Sequence, residues 1–145
     1  MDRNLYLSNG YLNVPYILRY NVPFIFVVGG RGTGKTYGAL KEARLRSVPG
    51  HRFLLLRRTL TQIEIINKPE YSPFKAIDNT EGYHTVSKPV SKYSSAFYDG
   101  EAHDDGTVTA AGLPLGYTAA LSTFSNMRSQ DMSDVDLIIY DEFIP

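Results

Sequence analysis

Unbroken apolar runs alternate along this chain with polar, helix-forming stretches. Phe24-Ile25-Phe26-Val27-Val28 is β-branched and aromatic with no polar residue at every second position, the pattern of a strand buried on both faces of a parallel sheet. A glycine-rich turn follows at once. Lys35 to Arg46, with Ala39, Leu40 and Ala43 among good helix formers, then predicts a helix that Pro49-Gly50 stops. Arg52 to Arg57, centred on Phe53-Leu54-Leu55-Leu56, predicts a second buried strand reached through a βαβ crossover. Thr61-Gln62-Ile63-Glu64 has capping-box form and predicts a short helix that ends before Pro69. Tyr93 to Tyr98 followed by Asp99-Gly100 predicts a β-hairpin turning on that dipeptide, and His103-Asp104-Asp105-Gly106 offers another turn. Lys88 and Lys92 fall on an expected loop before it. Leu115 to Leu121 predicts a strand, Ser122 to Asp134 a polar connection, and Val135 to Tyr140 a last buried strand ending in Asp141-Glu142. The first twenty residues, with Tyr6, Tyr11, Tyr16 and Tyr20 among leucines and Pro15 as a breaker, predict an irregular packed leader.

Composition narrows the class. The chain has 145 residues, 43% hydrophobic and 21% charged, which suits one globular domain with a real core. The longest apolar run is far short of the roughly 20 residues a membrane-spanning helix needs, so no membrane partner is expected. Without cysteine there is no disulfide framework, thiolate zinc site or cysteine nucleophile, and a reducing cytoplasm is the default expectation. His51, His84 and His103 lack metal spacing. Net charge is zero, but residues 1–75 hold twelve basic and four acidic residues, while residues 76–145 hold three basic and eleven acidic. That asymmetry either turns a basic face toward a polyanion, joins basic and acidic sides of neighbouring subunits in a ring, or disappears because the halves mix in one sheet.

The chemistry lies at two places. Gly29-Gly30-Arg31-Gly32-Thr33-Gly34-Lys35-Thr36 satisfies G-x-x-x-x-G-K-[ST]. Glycines let the backbone fold tightly, so that successive N–H groups converge on a β-phosphate, and the following helix adds its positive end. Gly29 through Tyr37 are therefore the expected nucleotide-binding residues. Lys35 neutralises β- and γ-phosphate oxygens, the Thr36 hydroxyl ligates Mg²⁺, and Arg31 points from the loop toward nucleotide or a neighbouring subunit. Leu137-Ile138-Ile139-Tyr140-Asp141-Glu142 is an apolar strand finishing in two carboxylates, the form of a Walker B element. Asp141 is expected in the Mg²⁺ shell, and Glu142 as the group that orients the attacking water or accepts its proton. Asn67-Lys68-Pro69-Glu70 is a poor match to the guanine-reading N-K-x-D: it precedes the Walker B strand and has Glu for Asp, so a GTPase is rejected. A nucleotide kinase needs lid arginines and no strand-end acid pair, so paired acids favour ATP hydrolysis by water. Together the motifs predict an α/β P-loop NTPase domain of ASCE type: a mainly parallel β-sheet flanked by helices, with an inserted β-hairpin.

These motifs, with Phe53-Leu54-Leu55-Leu56-Arg57-Arg58-Thr59, Tyr98-Asp99-Gly100, Thr118-Ala119-Ala120-Leu121-Ser122 and Ile138 to Ile144, resemble the ATPase domain of the phage DNA encapsidation proteins. Those are genome-packaging motors of small short-tailed phages, related to large terminases. The resemblance implies a homo-oligomeric, pentameric ring at the procapsid portal, with a packaging RNA as a further partner. The ring hydrolyses ATP with Mg²⁺ to translocate double-stranded DNA, in the cytoplasm of an infected bacterium. It also implies that 1–145 is one ATPase domain at the N-terminus of a longer protein, because such sheets continue past Walker B and ring motors supply an arginine in trans. Candidates for that arginine here are Arg57, Arg58 and Arg128; Lys88 and Lys92 are candidates for DNA phosphates. The alternatives are another DNA-dependent ATPase, such as a helicase, and a nucleotide-binding switch or structural subunit with little turnover.

Overall fold

The computed structural model describes residues 7–8, 13–15, 35–123 and 132–140, with Lys35 and Thr36 by their backbone alone. Helix α1 spans Lys35–Arg46, as its composition predicts, and buries Leu40 and Ala43. It stops where Val48 bridges His51 around Pro49-Gly50, with Gly50 at φ 88°. Strand β1 (Arg52–Arg57) follows directly, its Phe53, Leu54 and Leu55 all buried. Helix α2 (Leu60–Ile66) does carry a capping box, but two residues earlier than expected. Thr59 is the cap, and Gln62 Oε1 accepts from the backbone N–H groups of Arg58 and Thr59 at 3.0 and 3.1 Å. A 3₁₀ turn (Pro69–Tyr71) and α3 (Lys75–Glu81) complete the helical part, and Gly82 closes α3 in the left-handed conformation at φ 75°.

Four more strands follow: β2 (Thr85–Ser91), β3 (Ser94–Ala102), β4 (Val108–Ala120) and β5 (Val135–Tyr140). The sheet order is β2-β3-β4-β1-β5. β1 lies between β4 and β5 and is parallel to both, whereas β2–β3 and β3–β4 are antiparallel. The architecture is thus α/β with a five-stranded mixed sheet, not the mainly parallel one expected. The antiparallel ladders come from the insertion between β1 and β5, which is a three-stranded meander fused to the sheet edge. The expected strand at 24–28 lies outside the described residues.

The insertion also corrects the hairpin. β3 runs straight through Asp99-Gly100; the chain reverses at Lys92-Tyr93 and again over 103–107. Gly100 serves close approach, since a Cβ there would stand 2.6 Å from Val108 Cγ1 and 3.1 Å from the His84 carbonyl oxygen. The second turn is where the sequence pattern predicts it, with Gly106 at φ 87° and Asp105 accepting from the Thr107 N–H and hydroxyl. β4 is longer than Leu115–Leu121 and carries a large bulge where the register shifts opposite Phe97 and Asp99, with Gly112 at φ 71°. Lys88 lies on β2 rather than on a loop. β2 is the sheet's outer strand on this side, where Pro89 is tolerated and a lysine discourages edge pairing.

Helices α1, α2 and α3 cover one face. Leu40, Ala43, Ile63, Ile66 and Ile77 form a single buried cluster with Phe53, Leu55, Phe74 and Phe97. Three rings form its centre: Phe53–Phe74 and Phe53–Phe97 centroids are 5.9 Å apart, and Phe74 meets Phe97 edge-on at 5.0 Å. Gly116 leaves room for the Phe53 ring directly on the β4 backbone. The other face holds a smaller cluster around Leu54 and Ala119. β5 is less buried than expected, with Asp136 and Ile138 exposed. Among the described residues, no helix is long and apolar enough to cross a membrane.

Candidate functional site

The site is organised by α1, β1 and β5. The last turn of α1 sits at the amino ends of β1 and β5, where Ala43, Arg46, Phe53 and Asp136 line one cavity. From there the helix covers the sheet with Leu40 and Tyr37 packed in the cluster that contains Phe53, Leu55 and Ile139. Its twelve residues span about 18 Å, close to the roughly 20 Å of a six-residue strand. Lys35 therefore lies toward the carboxyl ends of the strands. β1 and β5 finish level there, with Leu56 paired to Tyr140, and β4 joins them through Ala120 beside Arg57. Asp141 follows Tyr140 in sequence. The start of the lysine-threonine helix and the end of the Asp-Glu strand so come to one edge of the sheet, the edge at which parallel α/β sheets bind ligands.

Of the individual residues, Lys35 and Thr36 open α1. Tyr37 is half-buried against the core, and its hydroxyl donates to Glu81 Oε1 at 3.4 Å. Its backbone N–H belongs to the helix's first turn, where such groups lack an intrahelical acceptor. Gly29, Gly30, Arg31, Gly32, Thr33, Gly34, Asp141, Glu142 and Arg128 lie outside the described residues. Arg57 ends β1 half-buried. Arg58 is exposed just beyond, its carbonyl accepting from Ser122 N–H at 3.2 Å. Both are at the strand-end edge where Leu56 pairs with Tyr140. Lys92 sits at the β2–β3 turn with Nζ 5.8 Å from the Tyr93 ring centre. Among the described residues no cluster of His, Cys, Asp or Glu is built to hold a metal.

Two contacts that tie α1 to its surroundings go beyond the sequence motifs. Arg44 is buried, donates to Asp99 Oδ1 at 2.7 Å, and lies 4.6 Å from the centre of the Tyr83 ring. Lys41 Nζ meets Glu81 Oε1 at 2.8 Å. That hydrogen bond raises the Lys41 pKa and lowers that of Glu81. Helical spacing carries the signal for both, because Tyr37, Lys41 and Arg44 follow i, i+4, i+7 on one stripe. Their partners are distant in sequence, so the stripe alone does not name them.

With this geometry in place, the chain can be compared with known proteins. No family model matches it, and neither does any curated protein. Among solved structures it is similar to the Phi-28 gp11 DNA packaging motor, with a TM-score of 0.63 and 22% sequence identity. The two chains share a fold. The likeness covers 95% of this chain but 40% of that one, so the chain spans well under half the length of the motor protein.

Proposed function

We propose that this chain is the ATP-hydrolysing part of a motor subunit that moves double-stranded viral DNA into a procapsid through its portal, working in a homo-oligomeric ring. The observation that supports it is the parallel pairing of β5 with β1, level at Leu56 and Tyr140, at the sheet edge toward which Lys35 opens α1; Asp141-Glu142 follow Tyr140 in sequence. The fold shared with a packaging motor adds support.

In this reading the backbone of 29–34 and the first N–H groups of α1 cradle the phosphates, and Lys35 neutralises their oxygens. A lysine, a threonine hydroxyl and a strand-end carboxylate are a donor set that suits magnesium bound to polyphosphate, with Thr36 and Asp141 as its protein ligands. The ion, when bound, offsets charge on the phosphate oxygens. Glu142 holds the attacking water and takes its proton. Arg31, or a strand-end arginine such as Arg57 or Arg58, meets the charge that develops at a neighbouring subunit's γ-phosphate.

The test is Mg-ATP turnover as a function of protein concentration, with Glu142→Gln in parallel and duplex or single-stranded DNA added. The reading expects turnover per subunit to rise with concentration, to rise further with duplex DNA, and to fall at least about 10²-fold in Glu142→Gln, the scale of losing a general base. Stimulation by single strands over duplex would move the assignment to a helicase-like ATPase. Background turnover at every concentration, with nucleotide still bound, would make it a switch.

A further inference from the structure

Helix α1 rests on the core along a narrow line. Its fully buried apolar side chains among the described residues are Leu40 and Ala43, with Tyr37 packed partly against the same cluster. At 3.6 residues per turn, Leu40 and Ala43 point about 100° round the helix from the stripe of Tyr37, Lys41 and Arg44. Apolar contact is non-directional, so by itself it leaves the helix free to roll about its axis. A roll of about 20° would carry each Cα, on a cylinder of about 2.3 Å radius, by about 0.8 Å. In the proposed function Lys35 and Thr36 stand at the head of this helix, where a misplacement near about 1 Å costs about 10²-fold.

One short segment, Glu81 to Tyr83, grips all three positions of the stripe. Glu81 Oε1 accepts from the Lys41 ammonium at 2.8 Å and from the Tyr37 hydroxyl at 3.4 Å. Tyr83 lies against the Arg44 guanidinium, with its ring centre 4.6 Å away, and Asp99 on β3 completes the hold on Arg44 at 2.7 Å. Gly82, between Glu81 and Tyr83, adopts φ 75°, the left-handed conformation that glycine favours. Hydrogen bonds depend on direction where apolar contact does not, so these ties oppose a roll. The Glu81 tie is the nearest to the site: Tyr37 follows Thr36 directly, and Lys41 is one turn further on. The Lys41 and Glu81 side chains are 37% and 28% exposed, so their pairing adds little to stability. Its larger effect is on orientation.

We propose that Glu81 is a positioning residue for the nucleotide: by holding Tyr37 and Lys41 it fixes the rotation of α1 and so aims Lys35 and Thr36 at phosphate. This rests on the ATP reading of the site and adds to it a residue outside both of its motifs. Arg44 and its partners pin the other half of the helix, so loss of the Glu81 tie loosens the first turns of α1 and leaves the helix docked.

The test is isothermal titration calorimetry with Mg-ADP, which is not turned over, at a temperature well below the melting point of every variant. Lys41→Glu and Glu81→Lys each set like charges face to face, and each should weaken binding about tenfold, about 1.4 kcal/mol. The double variant restores the ion pair with its ends exchanged, and should bind within about threefold of wild type. Melting without nucleotide should stay close to wild type throughout; Glu81→Leu is the substitute if a reversal does not fold, with the same loss expected. A residue that served stability alone would give the converse, a shifted melting point with unchanged affinity in the folded chain. Unchanged Mg-ADP affinity in the folded single variants, or a double variant no better than the singles, would overturn the proposal. A wild-type chain that binds no Mg-ADP would overturn the ATP reading itself, and the role of Glu81 with it.

Discussion

At Gly116 a methyl group would stand 2.6 Å from the ring carbons of Phe53, a distance no carbon pair tolerates. Phe53 cannot yield, because Phe97 stacks on one side at 5.9 Å and Phe74 packs on another at the same centroid distance. Gly116→Ala should therefore destabilise the fold by about 1–3 kcal/mol, the usual cost of overpacking a filled core. Urea denaturation at neutral pH would read this as a lower midpoint with an unchanged slope. Gly100 is held by the same physics, against Val108 and the backbone of His84. This is why Asp99-Gly100 misleads as a sequence signal. The dipeptide marks a turn when glycine is needed for a positive φ, but here it is needed for contact with a strand far away in the chain. Gly106 and Gly112, both at positive φ with open space where a Cβ would stand, are the two places in the insertion where glycine does serve conformation.

Between elements, the ties of α1 decide how rigidly the lysine-threonine turn is held. Lys41–Glu81 joins α1 to α3, and Tyr37 donates to the same carboxylate. The hydrogen bond from Lys41 lowers the Glu81 pKa from 4.5, so its contribution to stability is complete above that value and is lost as pH falls through the lower folded pKa. Lys41, raised from 10.5, behaves in mirror image: its contribution is complete below 10.5 and is lost as pH rises through the higher folded value. Glu81→Gln should thus lower the thermal midpoint slightly at neutral pH, with the difference from wild type shrinking to nothing in acid below the folded pKa. Melting curves across pH would check it; a difference that persists in acid would assign the effect to packing. The element boundaries of α1, β1 and β5 were legible because each rests on local signals: helix formers closed by Pro49-Gly50, and apolar runs bounded by charge. Pairing direction was not. Whether β4 runs with β1 and against β3 depends on which edge the insertion joins, and side-chain alternation carries no record of that. The candidate site is legible in the sequence as motifs alone, Gly29 to Thr36 and Asp141-Glu142, of which only the backbone of Lys35 and Thr36 is described, while the buried Arg44–Asp99 pair depends on two residues brought together across the insertion.

At the scale of the whole molecule, the described bases of the first half and the described acids of the second do not separate into two faces. Lys41–Glu81, Arg44–Asp99, His51–Asp136 and Arg52–Asp134 each join a base from the first half to an acid from the second. The cause is topological: β5 and the meander flank β1, so acids of the late strands lie beside bases of α1 and β1. The charge left over is local, acidic at the turn between β3 and β4 and basic at positions such as Arg58, Lys88 and Lys92. Nucleotide should act on this same whole. A ligand that binds only the folded chain stabilises it by about 2.7 kcal/mol at a hundredfold excess over its Kd. Mg-ATP should therefore raise the melting temperature, and Lys35→Ala should abolish the rise by removing the charge that meets the phosphates. Glu142→Gln should keep the rise, since that side chain acts on water and leaves phosphate binding to the loop. Differential scanning fluorimetry with Mg-ATP titrated over both variants separates binding from turnover. If Lys35→Ala retains the full stabilisation, the glycine loop is not where nucleotide binds, and the reading of this edge as an ATP site fails.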